Sequence, residues 1–185
     1  MTKKNTLKFY DFGDILVEAD KKLYYENKKL ISYKNIKLPK EGLFKVYLES
    51  GKLFLEITYL NGEKNGIAKC YYPESTTVNW VNYYTNDKLN GICQEMNEKG
   101  MLIKEDTFTN GIKDGVERRY ENDNIIEETM YKHNEKNGFH REFYKNYKVK
   151  NECTYKNDLL DGYFISYDKD GEIITKTKYR KGSEV

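Results

Sequence analysis

Few side chains in this sequence have the types and spacing that catalysis or metal binding requires. His133 and His140 accompany no serine or cysteine motif, so a nucleophile with an adjacent base has no support. The three cysteines lack a Cys-x-x-Cys spacing, which predicts neither a zinc site nor a disulfide framework. No glycine-rich phosphate loop precedes a helical pattern. The sequence therefore predicts a protein that is not an enzyme and uses no cofactor or metal.

A regular repeat is the main feature of the chain. Glycines recur at steps of 24, 25, 24, 23 and 24 residues, and three further columns keep the same period, which indicates one unit copied six times. The glycine column is Gly42, Gly66, Gly91, Gly115, Gly138 and Gly162. The first aromatic column is Tyr47, Tyr71, Met96, Tyr120, Phe143 and Tyr167. The aliphatic column is Leu53, Val78, Leu102, Ile125, Val149 and Ile173, and the second aromatic column is Tyr59, Tyr84, Phe108, Tyr131, Tyr155 and Tyr179.

Two turns divide each unit into two short runs. A polar cluster such as Asn86-Asp87 closes the unit, and its second residue is of a type that tolerates positive φ. A second turn lies mid-unit, most clearly at residues 49–51 and 98–100. Runs of about six residues rich in Tyr, Ile, Val and Thr are typical of strands. We therefore predict an all-β chain, an elongated single-layer antiparallel meander of tandem β-hairpins of about 24 residues each.

Alternation predicts which side chains share a sheet face. After each glycine, one parity carries an aliphatic residue, a cation and an aromatic, as in Ile67, Lys69 and Tyr71. On the second strand, Leu102 and Phe108 are expected to share a face and Glu105 to point to the other. Glu56, Glu105, Glu128 and Glu152 form an acid column, which we interpret as cross-strand partners of the cations.

Residues 42–182 resemble the MORN repeat in its bacterial variant form. The resemblance rests on Asn-Gly-x-x-Asn-Gly followed by Tyr, on a Gly-Lys-Leu or Gly-x-Leu turn, and on the Glu and Tyr that follow. It implies a twisted sheet of stacked hairpins. Bacterial proteins of this YwqK type are often labelled antitoxins, so the resemblance also implies an antitoxin or immunity-type inhibitor that holds another protein through its sheet face. The chain departs from the pattern at Met96, Val81 and Lys176.

The period sets the expected domain organisation. Residues 1–41 precede the strict repeats and are interpreted as an N-terminal cap with a degenerate copy, because repeat stacks need atypical terminal units. Residues 42–182 hold the six repeats, and residues 183–185 are a tail.

Charge narrows the classes of partner. The net charge of +2, from 32 basic and 30 acidic residues, argues against a nucleic-acid or membrane partner. No window approaches the ~20 apolar residues of a membrane span, and the cytoplasm is the expected location. The cysteines are expected to be reduced and partly buried. Edge strands could also pair two copies into a homodimer.

Residues that break the columns in an apolar direction are the candidate partner-binding positions. Trp80 occupies a column that is polar in the later copies. Tyr72, Tyr83 and Tyr144 are expected to leave the main aromatic stripe and line the second face. Phe44 and Phe164 lie at the apolar ends of a face that is charged in the middle. The alternative in each case is packing against a neighbouring hairpin or cap.

The sequence thus predicts a non-enzymatic protein-binding module. A phage-encoded inhibitor of a host nuclease and a membrane-associated MORN scaffold that binds anionic lipid remain alternatives. An enzyme whose pocket includes residues 1–41 is a third alternative, and single-strand nucleic-acid binding by aromatic stacking is a fourth. The abundance of Lys, Asn and Tyr suggests an AT-rich bacterial or phage genome.

Overall fold

A computed structural model describes residues 16–18, 25–26, 29–30, 40–48 and 50–185. These residues divide into two compact units, one up to Lys88 together with Glu98–Gly100, the other comprising Leu89–Asn97 and Met101–Val185. The predicted cap, residues 1–41, lies mostly outside the described residues, and the predicted domain division stays a prediction.

All regular elements of the described residues are β-strands. The first unit contains β1 (Leu16–Glu18), β2 (Tyr25–Glu26), β3 (Lys29–Leu30), β4 (Gly42–Tyr47), β5 (Leu53–Leu60), β6 (Glu63–Tyr71) and β7 (Val78–Thr85), and β8 (Lys88–Leu89) lies at its end. The second contains β9 (Gly91–Met96), β10 (Leu102–Thr109), β11 (Ile112–Lys113), β12 (Gly115–Glu121), β13 (Asn124–Lys132), β14 (Glu135–Phe143), β15 (Val149–Lys156), β16 (Leu159–Leu160), β17 (Gly162–Tyr167), β18 (Ile173–Arg180) and β19 (Ser183–Glu184).

Strands pair antiparallel in chain order. In the first unit β4 pairs with β5, β5 with β6 and β6 with β7, while β1 adds to β4 and β2 pairs with β3. In the second unit the long strands follow the order β9, β10, β12, β13, β14, β15, β17, β18. The predicted all-β antiparallel meander of hairpins is confirmed. None of the described residues forms a helix long and apolar enough to cross a membrane.

The four sequence columns form two cross-strand pairs in each hairpin, one pair at each end of its strands. The glycine faces the second aromatic column, as in Gly115 opposite Tyr131, and the first aromatic column faces the aliphatic one, as in Tyr120 opposite Ile125. Both pairs recur in all six copies. A ring opposite a glycine covers backbone that the glycine leaves bare.

Every hairpin contains a β-bulge, which places the aliphatic column on the sheet face opposite to the predicted one. It lies beside the first aromatic residue, and in β10 it falls between Leu102 and Lys104. Leu102 therefore pairs with Met96 on the face of Glu105, whereas Phe108 pairs with Gly91 on the opposite face. The expectation that Leu102 and Phe108 share a face is wrong, because the extra residue breaks the alternation of two.

Two faces follow from this register. The Tyr–Glu face carries the first, third and fifth residues after each glycine with their partners, for example Ile67, Lys69 and Tyr71 opposite Tyr83, Val81 and Val78. The Gly face carries the glycine and the second and fourth residues after it, for example Ala68 and Cys70. In the first unit the Gly face is apolar and buried, with Phe44, Val46, Ile57, Ala68 and Cys70 each at most 5 % exposed.

The turns between repeats have both central residues in the left-handed region. In Asn86-Asp87 the φ angles are 49° and 62°, and in His133-Asn134 they are 52° and 70°. Two successive positive φ angles define the type I′ turn, which matches the twist of a two-residue hairpin. The predicted left-handed second residue is confirmed, and the first residue is left-handed as well.

The same turns fasten each repeat to the one before it. The Asp87 N–H donates to the Lys64 carbonyl at 3.0 Å, and the Lys64 N–H donates back to Asp87 Oδ1 at 2.9 Å. Asn134 with Lys113, and Asp158 with Lys136, repeat both bonds. Where the second turn residue is glycine, as at Gly111, the backbone bond to the Leu89 carbonyl remains, but glycine has no side chain to accept the return bond. Asp and Asn thus satisfy a backbone donor in addition to tolerating the turn conformation.

We predict that Gly115→Ala destabilises the fold more than Gly162→Ala. Both glycines have φ of +132°, so both substitutions carry the same backbone strain. An added Cβ at Gly115 would lie 2.7 Å from Thr107 Cβ, against 3.3 Å from Thr154 Cβ at Gly162. The overpacking should make the Gly115 variant less stable than the other by at least about 1 kcal/mol in urea unfolding. Equal losses would show that the steric contact is relieved without cost.

Candidate functional site

Tyrosine–glutamate hydrogen bonds recur on the Tyr–Glu face. The hydroxyls of Tyr71 and Tyr120 donate to Glu56 and Glu105 at 2.8 and 2.6 Å. Tyr167 donates to Glu152 at 2.7 Å, and all three pairs are separated by 15 residues. Burial and this hydrogen bond raise the pKa of Tyr71 and of Tyr120 from 10.0 to about 12.

The same spacing explains two departures from the repeat pattern. Met96, the one non-aromatic member of the first aromatic column, stands 15 residues after Val81, which replaces the acid. The hydroxyl and the carboxylate are therefore lost together. Phe143 also lacks a hydroxyl, and Glu128, 15 residues before it, accepts a hydrogen bond from Arg118 Nε at 2.8 Å instead.

Acids and cations alternate across the strands of the Tyr–Glu face. Arg118 lies between two acids: its Nη1 is 3.9 Å from Glu105 Oε2, and its Nε is 2.8 Å from Glu128 Oε1. Arg141 Nε lies 3.5 Å from Glu152. These side chains form an ion ladder, Glu105, Arg118, Glu128, Arg141 and Glu152, and Lys45 with Glu56 is the corresponding pair of the first unit. The predicted cross-strand role of the two charge columns is confirmed for these residues.

An apolar stripe runs beside the ion ladder in the second unit. It consists of the first residue after each glycine and the cross-strand neighbours of the first three of these, Ile92, Thr107, Val116, Met130, Phe139, Thr154 and Tyr163. The neighbour of Tyr163 is Lys178, so the stripe ends at a cation. Ile92 is 45 % exposed and Tyr163 47 %, whereas Val116 and Phe139 are half-buried. Cations border the rings, since the Arg141 guanidinium lies 5.0 Å from the Phe139 centroid and Lys176 Nζ 4.4 Å from that of Tyr163. In the first unit, Leu43, Ile67 and Tyr83 occupy the same positions and are 53 %, 39 % and 38 % exposed.

The Gly face of the second unit carries a charged cluster, Lys104, Asp106, Lys113, Glu117 and Arg119. Glu117 is only 4 % exposed and accepts from Lys113 and, at 3.0 Å, from Arg119 Nε. Asp106 lies 2.8 Å from Lys104 Nζ and 2.6 Å from Lys113 Nζ. Burial opposes ionisation of Asp106, but the two lysines outweigh it and lower the pKa of that carboxyl. Every carboxylate of the cluster is paired with a cation, so the cluster has the character of a structural ion network.

A buried polar pair lies further along the same face. Thr129 Oγ1 is 2.9 Å from His140 Nδ1, and the imidazole packs edge-on against Tyr155 with centroids 5.9 Å apart. Cys153 is the cross-strand partner of His140 and is buried. Burial raises the pKa of the Cys153 thiol, which makes it a poor nucleophile. The described residues contain no group of three or more His, Cys, Asp or Glu side chains that could hold a metal ion.

The candidate residues from the sequence lie at several places in the structure. Trp80, half-buried, lies opposite Cys70 on the Gly face, and Phe164, also half-buried, lies opposite Thr177 on that face in the second unit. Tyr72 and Tyr144 adjoin mid-repeat turns, where the Tyr144 hydroxyl donates to the Tyr167 carbonyl at 2.8 Å. Within each unit these residues thus lie at different places, and their role in binding stays a prediction.

Two of the candidate residues need correction. Phe44 is 3 % exposed and packs edge-on against Tyr59, with ring centroids 6.1 Å apart, so it is a core residue. Tyr83 lies opposite Ile67, on the same face as Tyr71, and not on the second face as expected. The reason is that Tyr84 pairs with Gly66 across the hairpin, which leaves its neighbour on the Tyr–Glu face.

Sequence reasoning did not select the apolar stripe. Its strand-leading residues were visible as the aliphatic member of the repeated triplet, but a repeated apolar column normally signals a buried position. The exposed fractions of Ile92 and Tyr163, which only the structure provides, show that this column is an exposed stripe and not part of a core.

Tandem hairpins closed by glycine–aromatic pairs define this chain as a β-hairpin repeat protein. Residues 40–61, which span the first hairpin β4–β5, match the family model described as MORN repeat variant. The resemblance to MORN repeats is thus confirmed there. A search of curated proteins found no match. The MORN match indicates a repeat module of the kind that binds proteins or membranes, and repeats of this family are generally non-enzymatic.

We predict that Tyr120→Phe lowers the free energy of unfolding near neutral pH and makes that free energy depend less on pH in alkaline solution. Loss of the bond to Glu105 should cost about 1 kcal/mol. Because the folded-state pKa of Tyr120 is raised, its contribution is complete below pH 10.0 and is lost as the pH rises towards about 12. Urea unfolding at a series of pH values should show a smaller drop over this window for the variant. Parallel curves would contradict a proton-linked role for Tyr120.

We predict that Glu117→Ala is strongly destabilising, whereas Glu121→Ala on the same strand is not. Removing the buried Glu117 carboxylate leaves Lys113 and Arg119 without their shared partner, at a cost of about 2–4 kcal/mol. Glu121 is exposed, so its removal should change stability by less than about 0.5 kcal/mol. Thermal unfolding of both variants measures the difference, and comparable midpoints would show that the cluster contributes no net stability.

Proposed function

We propose that this chain is a non-enzymatic module that binds another protein through its Tyr–Glu face. The observation that carries the proposal is the exposed apolar stripe of the second unit. The stripe keeps Ile92 and Tyr163 nearly half exposed although neither residue is needed to close a hairpin. The glycine–aromatic and aromatic–aliphatic pairs already close each hairpin at both ends. An apolar surface that the fold does not use is available to a partner.

The size and composition of the stripe support a protein partner. Its seven residues lie on the successive strands β9, β10, β12, β13, β14, β15 and β17. At ~4.8 Å per strand they extend over roughly 30 Å, which is comparable to one side of a standard protein interface. Tyr163 offers a large ring beside Lys176, and tyrosine is frequent among the residues that dominate binding energy.

The ion ladder favours a protein over an anionic membrane. Three acids and two cations alternate in the ladder, Glu105, Arg118, Glu128, Arg141 and Glu152. Lys176 and Lys178 border Tyr163, so four cations against three acids leave this part of the face close to neutral. Attraction to anionic lipid normally needs a cluster of about four to eight basic residues. A partner protein can instead present its own alternating charges to the ladder, which gives specificity.

The finer role that we propose is inhibition of the bound partner, in the manner of an antitoxin or immunity protein. It is supported by the resemblance of the repeats to the YwqK type. We place the encounter in the cytoplasm, where buried thiols such as Cys70, whose pKa burial raises to about 11, remain reduced.

The proposal is tested by recovering the partner from native cells with three forms of the protein. We expect Ile92→Ser/Tyr163→Ser to recover at least about tenfold less partner than the wild type, because it removes the exposed apolar contacts. Ile112→Ser/Leu159→Ser is the matched control, since these residues are also exposed apolar side chains of the Tyr–Glu face but lie outside the stripe, in the turn strands β11 and β16. It should recover as much partner as the wild type.

Three outcomes would contradict the proposal. These are equal recovery by the two double variants, absence of any partner in stoichiometric amount, and sedimentation of the wild type with phosphatidylserine vesicles that the stripe variant abolishes. If a partner is recovered, its own activity measured with and without the chain tests the inhibitory role separately.

A further inference from the structure

The mid-repeat turn of residues 144–148 contains an unusual backbone conformation. Tyr147 has a φ of 65°, at the place where the other five-residue mid-repeat turns carry Gly51, Gly100 and Gly171. A side chain as large as tyrosine adopts the left-handed region only at an energetic cost, which glycine avoids. A turn that could use glycine at no such cost, but has tyrosine, points to a role for the ring.

Burial does not account for that tyrosine. The Tyr147 side chain is 68 % exposed, among the most exposed of the large hydrophobic residues in the described part of the chain. Its hydroxyl donates to Asn124 Oδ1, which fixes the position of the ring over the preceding mid-repeat turn. The ring is therefore held in place and still faces solvent.

The turn is also tied to the next mid-repeat turn, residues 168–172. Asn146 Nδ2 donates to the Lys169 carbonyl at 3.1 Å, and Lys148 Nζ donates to the Asp170 carbonyl at 2.7 Å. The Tyr144 hydroxyl adds a third bond between the two segments. These contacts on both sides organise the surface before any partner arrives, which lowers the entropic cost of binding.

Two lysines lie at an open cleft beside the tyrosine. The cleft is lined by Tyr144, Lys145, Asn146 and Lys169. Lys145 and Lys169 are exposed, and neither ammonium group forms an ion pair with any residue that the structure describes. Carboxylates of the ion ladder pair with other cations, so the two ammonium groups remain available to an added anion.

We propose that this tyrosine–lysine surface, residues 144–148 with Lys169, docks an acidic segment of a protein. A carboxylate of the segment binds between Lys145 and Lys169, and a neighbouring side chain packs on the Tyr147 ring. The neighbouring turn also contributes the acids Asp168, Asp170 and Glu172, so the surface lacks the uniform positive charge of a nucleic-acid site. The surface lies at the mid-repeat turns and does not include the apolar stripe, so it goes beyond the function proposed above.

The test measures binding of fluorescein-labelled octaglutamate by fluorescence anisotropy at low salt. The wild type should bind it, with an affinity that falls as salt is added. Lys145→Glu/Lys169→Glu should weaken binding at least about fivefold. The matched control is Lys132→Glu/Lys156→Glu, which makes the same charge change at two exposed lysines near the opposite ends of the hairpins, and it should weaken binding less than about twofold.

Tyr147→Gly tests the ring without depending on charge. It relieves the left-handed strain, so its thermal midpoint should not fall below that of the wild type, while its binding should weaken at least about threefold. The proposal is overturned if octaglutamate does not bind, if the two lysine pairs have equal effects, or if single-stranded oligothymidylate binds more tightly than octaglutamate. Retained binding by the glycine variant would exclude the ring from the site. None of these outcomes bears on the stripe variants, so the two proposals fail separately.

Discussion

The left-handed two-residue turn is the constraint on which the rest of this fold depends. With both central residues at positive φ, as in Asn157-Asp158, the turn allows only one strand register. A slip of one residue would exchange the two faces, because side chains alternate with a period of two. The carboxylate of Asp158 accepts a hydrogen bond from the backbone N–H of Lys136 in the preceding repeat. One turn therefore determines both the register of its hairpin and the attachment of that hairpin to its neighbour.

The bulge beside the first aromatic column decides what each face can do. It brings the aromatic and aliphatic columns together, as in Tyr120 opposite Ile125, on the face that also carries Glu105. The tyrosine hydroxyl can then reach the acid column while its ring covers an aliphatic neighbour. Closure of the hairpin is thereby complete at both ends, and the residue directly after each glycine is left outside it. That residue is the source of the apolar stripe.

The Gly face shows how one repeat geometry supports two kinds of interior. In the first unit Val46 and Ala68 are buried among apolar neighbours, while in the second unit the charged cluster occupies the same columns. Glu117 is only 4 % exposed, and the cost of burying its carboxylate is offset because Lys113 and Arg119 form ion pairs with it. A buried charge with this degree of pairing is a structural element that restricts the register, and it does not resemble a catalytic group with an open coordination or a reactive partner.

The sequence alone determined the period, the hairpins and the left-handed turn residues, because turn conformation and strand alternation are local properties of a few consecutive residues. It also contained the link between Met96 and Val81, since their spacing equals that of the bonded tyrosine–glutamate pairs. Only the tertiary structure decided the face of Leu102 and Tyr83, the burial of Phe44 and the exposure of Ile92. Those properties depend on bulges and on pairing between hairpins, where residues far apart in the chain determine what remains accessible to solvent.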